Sequence, residues 1–170
     1  MKQLNDLTLK WAGDRGLLLN GTVISQALKL GSEVGELCYN LGNNNPIKDD
    51  IGDCLVVCTI LSNLQGSDLI EIMEDVSPIT HKTPLVPTLV YYLGELQDKA
   101  LKGLDITIEI RNIVNQLDGI CTTRHTTLRE GWTVAYDDIK DREGFLTKEG
   151  VFVKSTDENY DAIVAREMEK

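Results

Sequence analysis

The chain has 170 residues, with 17 Lys and Arg against 27 Asp and Glu, a formal net charge of −10. That size suits one domain or two small joined halves, and 42% hydrophobic residues exclude wholesale disorder. The acidity argues against clamping nucleic acid by phosphate neutralisation and against docking on an anionic membrane. It leaves room for a small phosphate ligand where a metal ion stands between ligand and protein.

The apolar runs, such as residues 54–61, are far shorter than the roughly 20 residues that span a bilayer. Met-Lys-Gln-Leu-Asn-Asp at the start lacks the apolar core of a signal peptide, so a cytoplasmic location is expected. Cys38, Cys54, Cys58 and Cys121 form no C-x-x-C pair, and no His stands at metal-ligand spacing to them. They read as small buried hydrophobes in a reducing compartment. With only His81 and His125, His-based catalysis has little to work with.

Helical periodicity begins at about residues 3–12, with Leu4, Leu7, Leu9 and Trp11. A loop with Gly13, Gly16, Asn20 and Gly21 follows, and Thr22 or Ser25 can cap the next helix. That helix is expected to carry Ile24, Ala27, Leu28, Leu30, Val34, Leu37, Cys38 and Leu41 on its apolar side, and stops at Gly42-Asn-Asn-Asn-Pro46. A third helix is expected from about Ile47 to Leu64 and a short fourth from Asp68 to Val76. Ser77–Pro87 reads as a linker. Thr88–Leu101, Ile106–Thr122 and Thr127–Lys140 have helical spacing, with Trp132 in an apolar stripe that reads as core. Phe145–Lys154 alternates around a Glu-Gly turn and predicts a small β-hairpin, and the charged last fifteen or so residues suit a terminal helix. The expected fold is all-α, an antiparallel helical bundle with a small C-terminal hairpin or extended tail.

Sliding the chain on itself by 59 positions sets Gly35-Glu36-Leu37 on Gly94-Glu95-Leu96, Ile47 on Ile106, Asp50 on Glu109 and Glu71 on Glu130. Across this register Glu33 becomes Tyr92 and Asp53 becomes Asn112. The chain therefore reads as a single domain, residues 1–170, with a charged half at about 1–76. A degenerate repeat at about 85–142 and a tail at 143–170 complete it.

The sharpest feature is Glu33-Val-Gly-Glu36 followed by Asp50-Ile-Gly-Asp53. Residues three apart share a helix face, so each helix presents two carboxylates. A short loop between the helices favours antiparallel pairing, in which the pairs converge. Like charges that close repel, so the cluster makes sense mainly around a hard cation such as Mg²⁺ or Mn²⁺. The alternative is a pair of solvated helix faces. Against it stand the apolar neighbours Leu30, Val34, Ile51 and Leu55. Gly35 and Gly52 also count, each costing about 1 kcal/mol in a helix relative to Ala while permitting close approach of a helix or ligand.

Lys29-Leu-Gly-Ser-Glu33-Val-Gly-Glu36-Leu with Asp50-Ile-Gly-Asp53-Cys-Leu-Val-Val resembles the E-E-x-x-E … E-x-x-D signature of the MazG-like all-α nucleoside triphosphate pyrophosphohydrolases. Trp11, Arg15-Gly16 and Asn20-Gly21 are similar to that family's N-terminal segment. Ala135-Tyr-Asp-Asp-Ile-Lys140-Asp-Arg142-Glu-Gly144 and Gly150-Val-Phe-Val-Lys154 resemble the closing segment of short bacterial and bacteriophage members. The match covers about residues 4–75 and 127–155. Two positions depart from the pattern: Ser32 replaces the first Glu, which bears on the number of ions held, and Asp50 replaces the usual Glu, which shortens its reach.

The resemblance implies Mg²⁺-dependent hydrolysis of a nucleoside triphosphate to monophosphate and pyrophosphate. A deoxyribonucleotide is the expected substrate, and nucleotide pool control the expected role. Glu33, Glu36, Asp50 and Asp53 would hold the metal, with Glu36 and Glu33 catalytic and Glu36 the residue that orients or deprotonates water. Lys29, Lys140, Arg142 and Lys154 would meet phosphate charge, although each also suits a solvated surface. Trp11 could stack a base or simply fill the core, and Gln26 could pair with a base edge. The resemblance also implies a homo-oligomer, dimer or tetramer, in the cytoplasm, or the host cytoplasm if phage-encoded. Two other functions stay open: a nucleotide-binding or scaffolding module with weak turnover, and a phosphoribosyl-nucleotide pyrophosphohydrolase of the same fold.

Overall fold

The computed structural model describes residues 1–74 and 84–169. Its helices in chain order are α1 (Lys2–Asp14), α2 (Leu17–Asn20), α3 (Val23–Gly42), α4 (Lys48–Leu64), α5 (Leu69–Glu74), α6 (Leu85–Leu101), α7 (Thr107–Thr123) and α8 (Leu128–Ile139). A hairpin of β1 (Gly144–Leu146) and β2 (Phe152–Lys154) and a last helix α9 (Tyr160–Glu169) complete the chain. The architecture is predominantly helical, as the periodicity indicates. None of the described helices is long and apolar enough to cross a membrane.

Two boundaries differ from expectation. The Gly16–Gly21 loop contains the single turn α2, which buries Leu17. Helix α6 begins at Leu85 rather than Thr88. Pro84 sits at its N-cap and Pro87 falls in its first turn, where a missing N–H costs nothing. The expected linker thus lies mostly outside the described residues, and its last part is helix.

The Thr22 hydroxyl accepts from the Ser25 backbone N–H at 3.0 Å while Ser25 Oγ accepts from the Thr22 N–H, a capping box that starts α3. Helix α4 is the axis of the fold. Every residue from Cys54 to Ser62 is buried, as expected of a helix apolar on all sides. Its two internal hydroxyls are satisfied within the helix, Thr59 Oγ1 donating to the Leu55 carbonyl at 2.8 Å and Ser62 Oγ to that of Cys58 at 2.9 Å. Burial raises the Cys54 thiol far above its ordinary value and pushes that of Cys58 up to about 12, so both are inert, protonated core groups.

Helices α3 and α8 pack on α4 from two sides. At the α4–α8 crossing a Cβ on Gly52 would lie 2.2 Å from the Gly131 carbonyl oxygen, and one on Gly131 would lie 2.8 Å from that of Lys48. Glycine is required at both positions for the backbones to meet. Trp132, fully buried on α8, donates its indole N–H to Thr8 Oγ1 on α1 at 3.0 Å.

The offset of 59 also relates backbone positions. Helix α3 ends at Gly42 and α6 at Leu101, while α4 spans 48–64 and α7 spans 107–123. Positive φ recurs at Asn44 and Gly103 (56° and 65°) and at Gly66 and His125 (80° and 52°). An interhelical polar pair recurs too: Asn40 Nδ2 donates to both Asp50 oxygens at 3.0 Å, and Lys99 Nζ pairs with Glu109 Oε1 at 2.7 Å. With α3–α5 as one unit and α6–α8 as the other, α8 packs chiefly on α4 of the first unit, and α5 touches α7 of the second as well as α4 of its own.

Candidate functional site

The antiparallel loop between α3 and α4 sets Glu33 and Glu36 opposite Asp53. These three carboxylates line one end of a cleft of about 160 Å³. Lys29, one turn before Glu33, pairs with it. Arg142, beyond the end of α8, and Lys154, on β2, reach the same cleft. The other end is apolar, with Trp11 and Leu17 from the N-terminal segment, Val56, Val57 and Ile60 from α4, and Phe152 from β2. Gln26, on α3 farther from the α3–α4 loop than the carboxylates, is 5% exposed and also lines the cleft.

The elements that bring these groups together are fixed by short contacts. The hairpin folds back over α3 because Gly150, at φ +78°, comes within 3.0 Å of Gly21 Cα and 2.8 Å of the Asn20 oxygen, measured from an ideal Cβ. Ser25 Oγ donates to the Gly150 carbonyl at 3.3 Å, so the α3 cap and the hairpin turn are joined. Arg15 donates through Nε and Nη2 to the Arg142 carbonyl at 3.0 and 2.6 Å, which holds the backbone that carries Arg142. Its guanidinium also stands 5.0 Å from the Trp11 ring centroid. Phe152 meets the same indole edge-on, with centroids 6.0 Å apart. Trp11 is 7% exposed and belongs to the hydrophobic core, so a packing role accompanies its place in the cleft wall.

Two residues singled out in the sequence stand elsewhere. Asp50 is buried outside the cleft lining, with both carboxylate oxygens accepting from Asn40. Lys140 pairs with Asp137 at 2.7 Å and does not line the cleft. Conversely, the hairpin residues Val151 and Phe152 and the apolar floor Val56, Val57 and Ile60 were not singled out. Neither was Asp49. It is exposed near the mouth, where its carboxyl is pushed up by partial desolvation and by Asp138 and Glu33, against the pull of Arg142 and Lys154.

The electrostatics are those of crowded carboxylates. Burial first, then repulsion from Glu33 and Asp49, raises Asp53 from the ordinary carboxylate range to about 7, with Arg142 and Lys29 opposing. Burial raises Asp50 as well, opposed by its bond to Asn40. The donor set at this end of the cleft, Glu33, Glu36 and Asp53, is all oxygen and suits a hard divalent cation. Among the described residues no three His, Cys, Asp or Glu side chains are gathered closely enough to enclose an ion by themselves. That spacing is compatible with an ion that keeps several waters and takes further oxygens from a ligand, as Mg²⁺ does.

No protein-family model matches the chain, and no solved structure matches it. Over 70 residues it is 43% identical to an uncharacterized 18.2 kDa protein in the rep–hol intergenic region of Haemophilus phage HP1. That stretch is 40% of this chain and 43% of the relative, so the chain matches less than half the length of that phage protein.

Proposed function

We propose that the chain is a Mg²⁺-dependent nucleoside triphosphate pyrophosphohydrolase of the MazG-like all-α type. The observation that carries this reading is a single cleft with two chemically distinct ends. One end has three carboxylates and three cations, the other is apolar with one buried amide. A triphosphate and a base need that division of labour, and the acidic end would repel a polyphosphate unless a cation intervened. Bound there, Mg²⁺ would supply charge neutralisation of phosphate oxygens and a more acidic water.

The chain's own groups have separable roles. Glu33, Glu36 and Asp53 would hold the cation. Glu36, exposed on α3, is placed to orient the attacking water and accept its proton. Lys29, Arg142 and Lys154 would bind phosphate oxygens, Lys29 exchanging its pairing with Glu33 for the ligand. Gln26 would meet a base edge while Leu17, Val57 and Phe152 exclude water around it. Phage origin of the relative agrees with a role in the nucleotide pool of an infected host cytoplasm.

The test is a turnover screen of ribo- and deoxyribonucleoside triphosphates with Mg²⁺, with product identification. Pyrophosphate and monophosphate should be released, and Glu36→Gln should reduce the rate by about 10³-fold or more. Release that survives this substitution would remove Glu36 from the site. The open spacing of the carboxylates also favours a second reading, a nucleotide-binding module with weak turnover. Tight binding in calorimetry with no product would select it.

A further inference from the structure

Helix α9 has one buried residue, and it is charged: Glu167, 8% exposed. A surface helix ordinarily docks through an apolar stripe. Here Ile163 and Val164 are half-buried and Met168 is 83% exposed. Among the described residues α9 packs extensively on no other element, so point contacts hold it. Two of these reach the hairpin. Glu167 Oε2 accepts from the backbone N–H of Lys148 in the hairpin turn at 2.8 Å, a charge-assisted bond. The Tyr160 ring meets Phe145 of β1 edge-on, with centroids 5.5 Å apart. Tyr160 to Glu167 rises roughly 10 Å along a helix, and Phe145 to Lys148 covers roughly 10 Å of extended chain, so the two attachments are matched in spacing.

The hairpin gains from such support. A lone two-stranded hairpin is marginal in water, and this one pairs only Gly144 with Lys154, Phe145 with Val153 and Leu146 with Phe152. Its turn is tied to two segments far apart in the chain. Ser25, at the start of α3, donates to the Gly150 carbonyl, and Glu167 of α9 takes the Lys148 N–H. Between them the buried Thr147 closes the turn. Its N–H donates to the Val151 carbonyl at 2.9 Å, and its hydroxyl accepts from the Val151 N–H at 3.1 Å. A shift at Lys148 is thereby passed to Val151 and on to Phe152 and Lys154, all three of which line the cleft.

We infer that Glu167 is a positioning residue for the cleft. Through the Lys148 N–H it fixes the hairpin turn, and with the turn it fixes Phe152 and Lys154 in the cleft wall. Helix α9 is then a brace for β1, which pairs with β2, which carries the wall residues. Glu167 itself does not line the cleft. Its effect on a substrate rests on the proposed hydrolysis, whereas its effect on the hairpin does not.

Hydrogen exchange read by mass spectrometry on the full chain tests the hairpin part. In Glu167→Ala the amides of residues 145–154 should exchange about 10-fold faster or more, while those of α4 keep the parent's protection. Acrylamide should quench Trp11 more strongly as Phe152 leaves its ring, with the fully buried Trp132 silent. Glu167→Gln keeps a carbonyl oxygen for the Lys148 N–H and should restore both readouts. Met168→Ala, at an exposed position of α9, should change neither. With the triphosphate of highest turnover, Glu167→Ala should raise KM about 10-fold and change kcat less than about 2-fold, as a binding wall less often in place demands. Glu167→Gln should recover that KM. Exchange and quenching indifferent to Glu167→Ala would overturn the inference. So would α4 losing protection together with the hairpin, or a loosened hairpin with unchanged KM in an active enzyme. A parent chain that turns over no nucleotide would remove the proposed function alone, and exchange would still decide the role of Glu167.

Discussion

Asp53 shows how a single residue ties the site to pH. Its folded carboxyl titrates near 7, against about 3.9 in an unfolded chain. Between these values the folded protein binds the extra proton, so stability falls as pH rises through the interval. The contribution is complete below about 4 and gone above about 7, and the raised Asp49 and Asp50 act in the same direction. Metal-free protein should therefore melt at higher temperature at pH 5.5 than at pH 7.5, and Asp53→Asn should flatten most of that difference. Above pH 7, added Mg²⁺ should raise the melting temperature and chelator should reverse it; indifference to metal would count against the carboxylate end as a cation site. Arg15 acts at the same scale, through the Arg142 carbonyl rather than on a ligand. Arg15→Met should lower kcat/KM for pyrophosphate release about 10-fold or more, and should change Trp11 fluorescence because the cation leaves its ring. Glu33 and Glu36 were legible from spacing because the apolar stripe of α3 decides its face, and Asp53 because the short loop returns α4 antiparallel beside them. Asp50 was not. It and Asp49 flank Asp53 at i−3 and i−4, and which of them turns to the cleft depends on how α4 rolls between α3 and α8, which no local pattern encodes.

At the scale of elements, the site depends on a helix crossing. Helix α8 brings Ile139 and Arg142 to the cleft only because Gly52 and Gly131 let it press on α4. A methyl group at Gly52 would meet the Gly131 carbonyl oxygen at 2.2 Å. Gly52→Ala should cost about 1–3 kcal/mol in denaturant unfolding, despite the gain in helix propensity. Gly35→Ala, with no neighbour to meet, should be neutral or stabilising by up to about 1 kcal/mol, so the pair separates packing from propensity. Both glycines read alike in the sequence, as conspicuous breaks in helical stretches. Only the partner helix distinguishes them, because a close approach belongs to two segments 79 positions apart, Gly52 and Gly131. The hairpin has the same character. Its alternation and Gly150 turn were visible, yet its fold over the α3 cap rests on Ser25 and Asn20, far away in the chain.

Across the whole molecule, the two units share one core rather than having one each. Helix α4 is buried from Cys54 to Ser62 because α3, α8, α1 and α7 surround it, and α8 belongs to the second unit. A fragment of residues 1–76 would leave one side of α4 uncovered. It should show helical far-UV signal with weak near-UV signal and no cooperative melting. The second unit keeps the shape while changing the chemistry. Tyr92 and Asn112 stand where the first unit has Glu33 and Asp53, and Lys99 with Glu109 replaces Asn40 with Asp50. The offset could be read in the sequence as residue matches, whereas the recurrence of positive φ at its equivalent positions and the exchange by which α8 packs on α4 could not.

That exchange has a consequence for synthesis. During translation Asp53 emerges before α8 and the hairpin that complete the cleft. The cover over α4 arrives only with α8, and the last cleft residue, Lys154, later still. A nascent chain therefore carries its charged groups on an exposed, unfinished helix pair until α8 and the hairpin have left the ribosome. The completed cleft thus exists only once Lys154 has been made, and a product truncated before α8 carries the carboxylates without it.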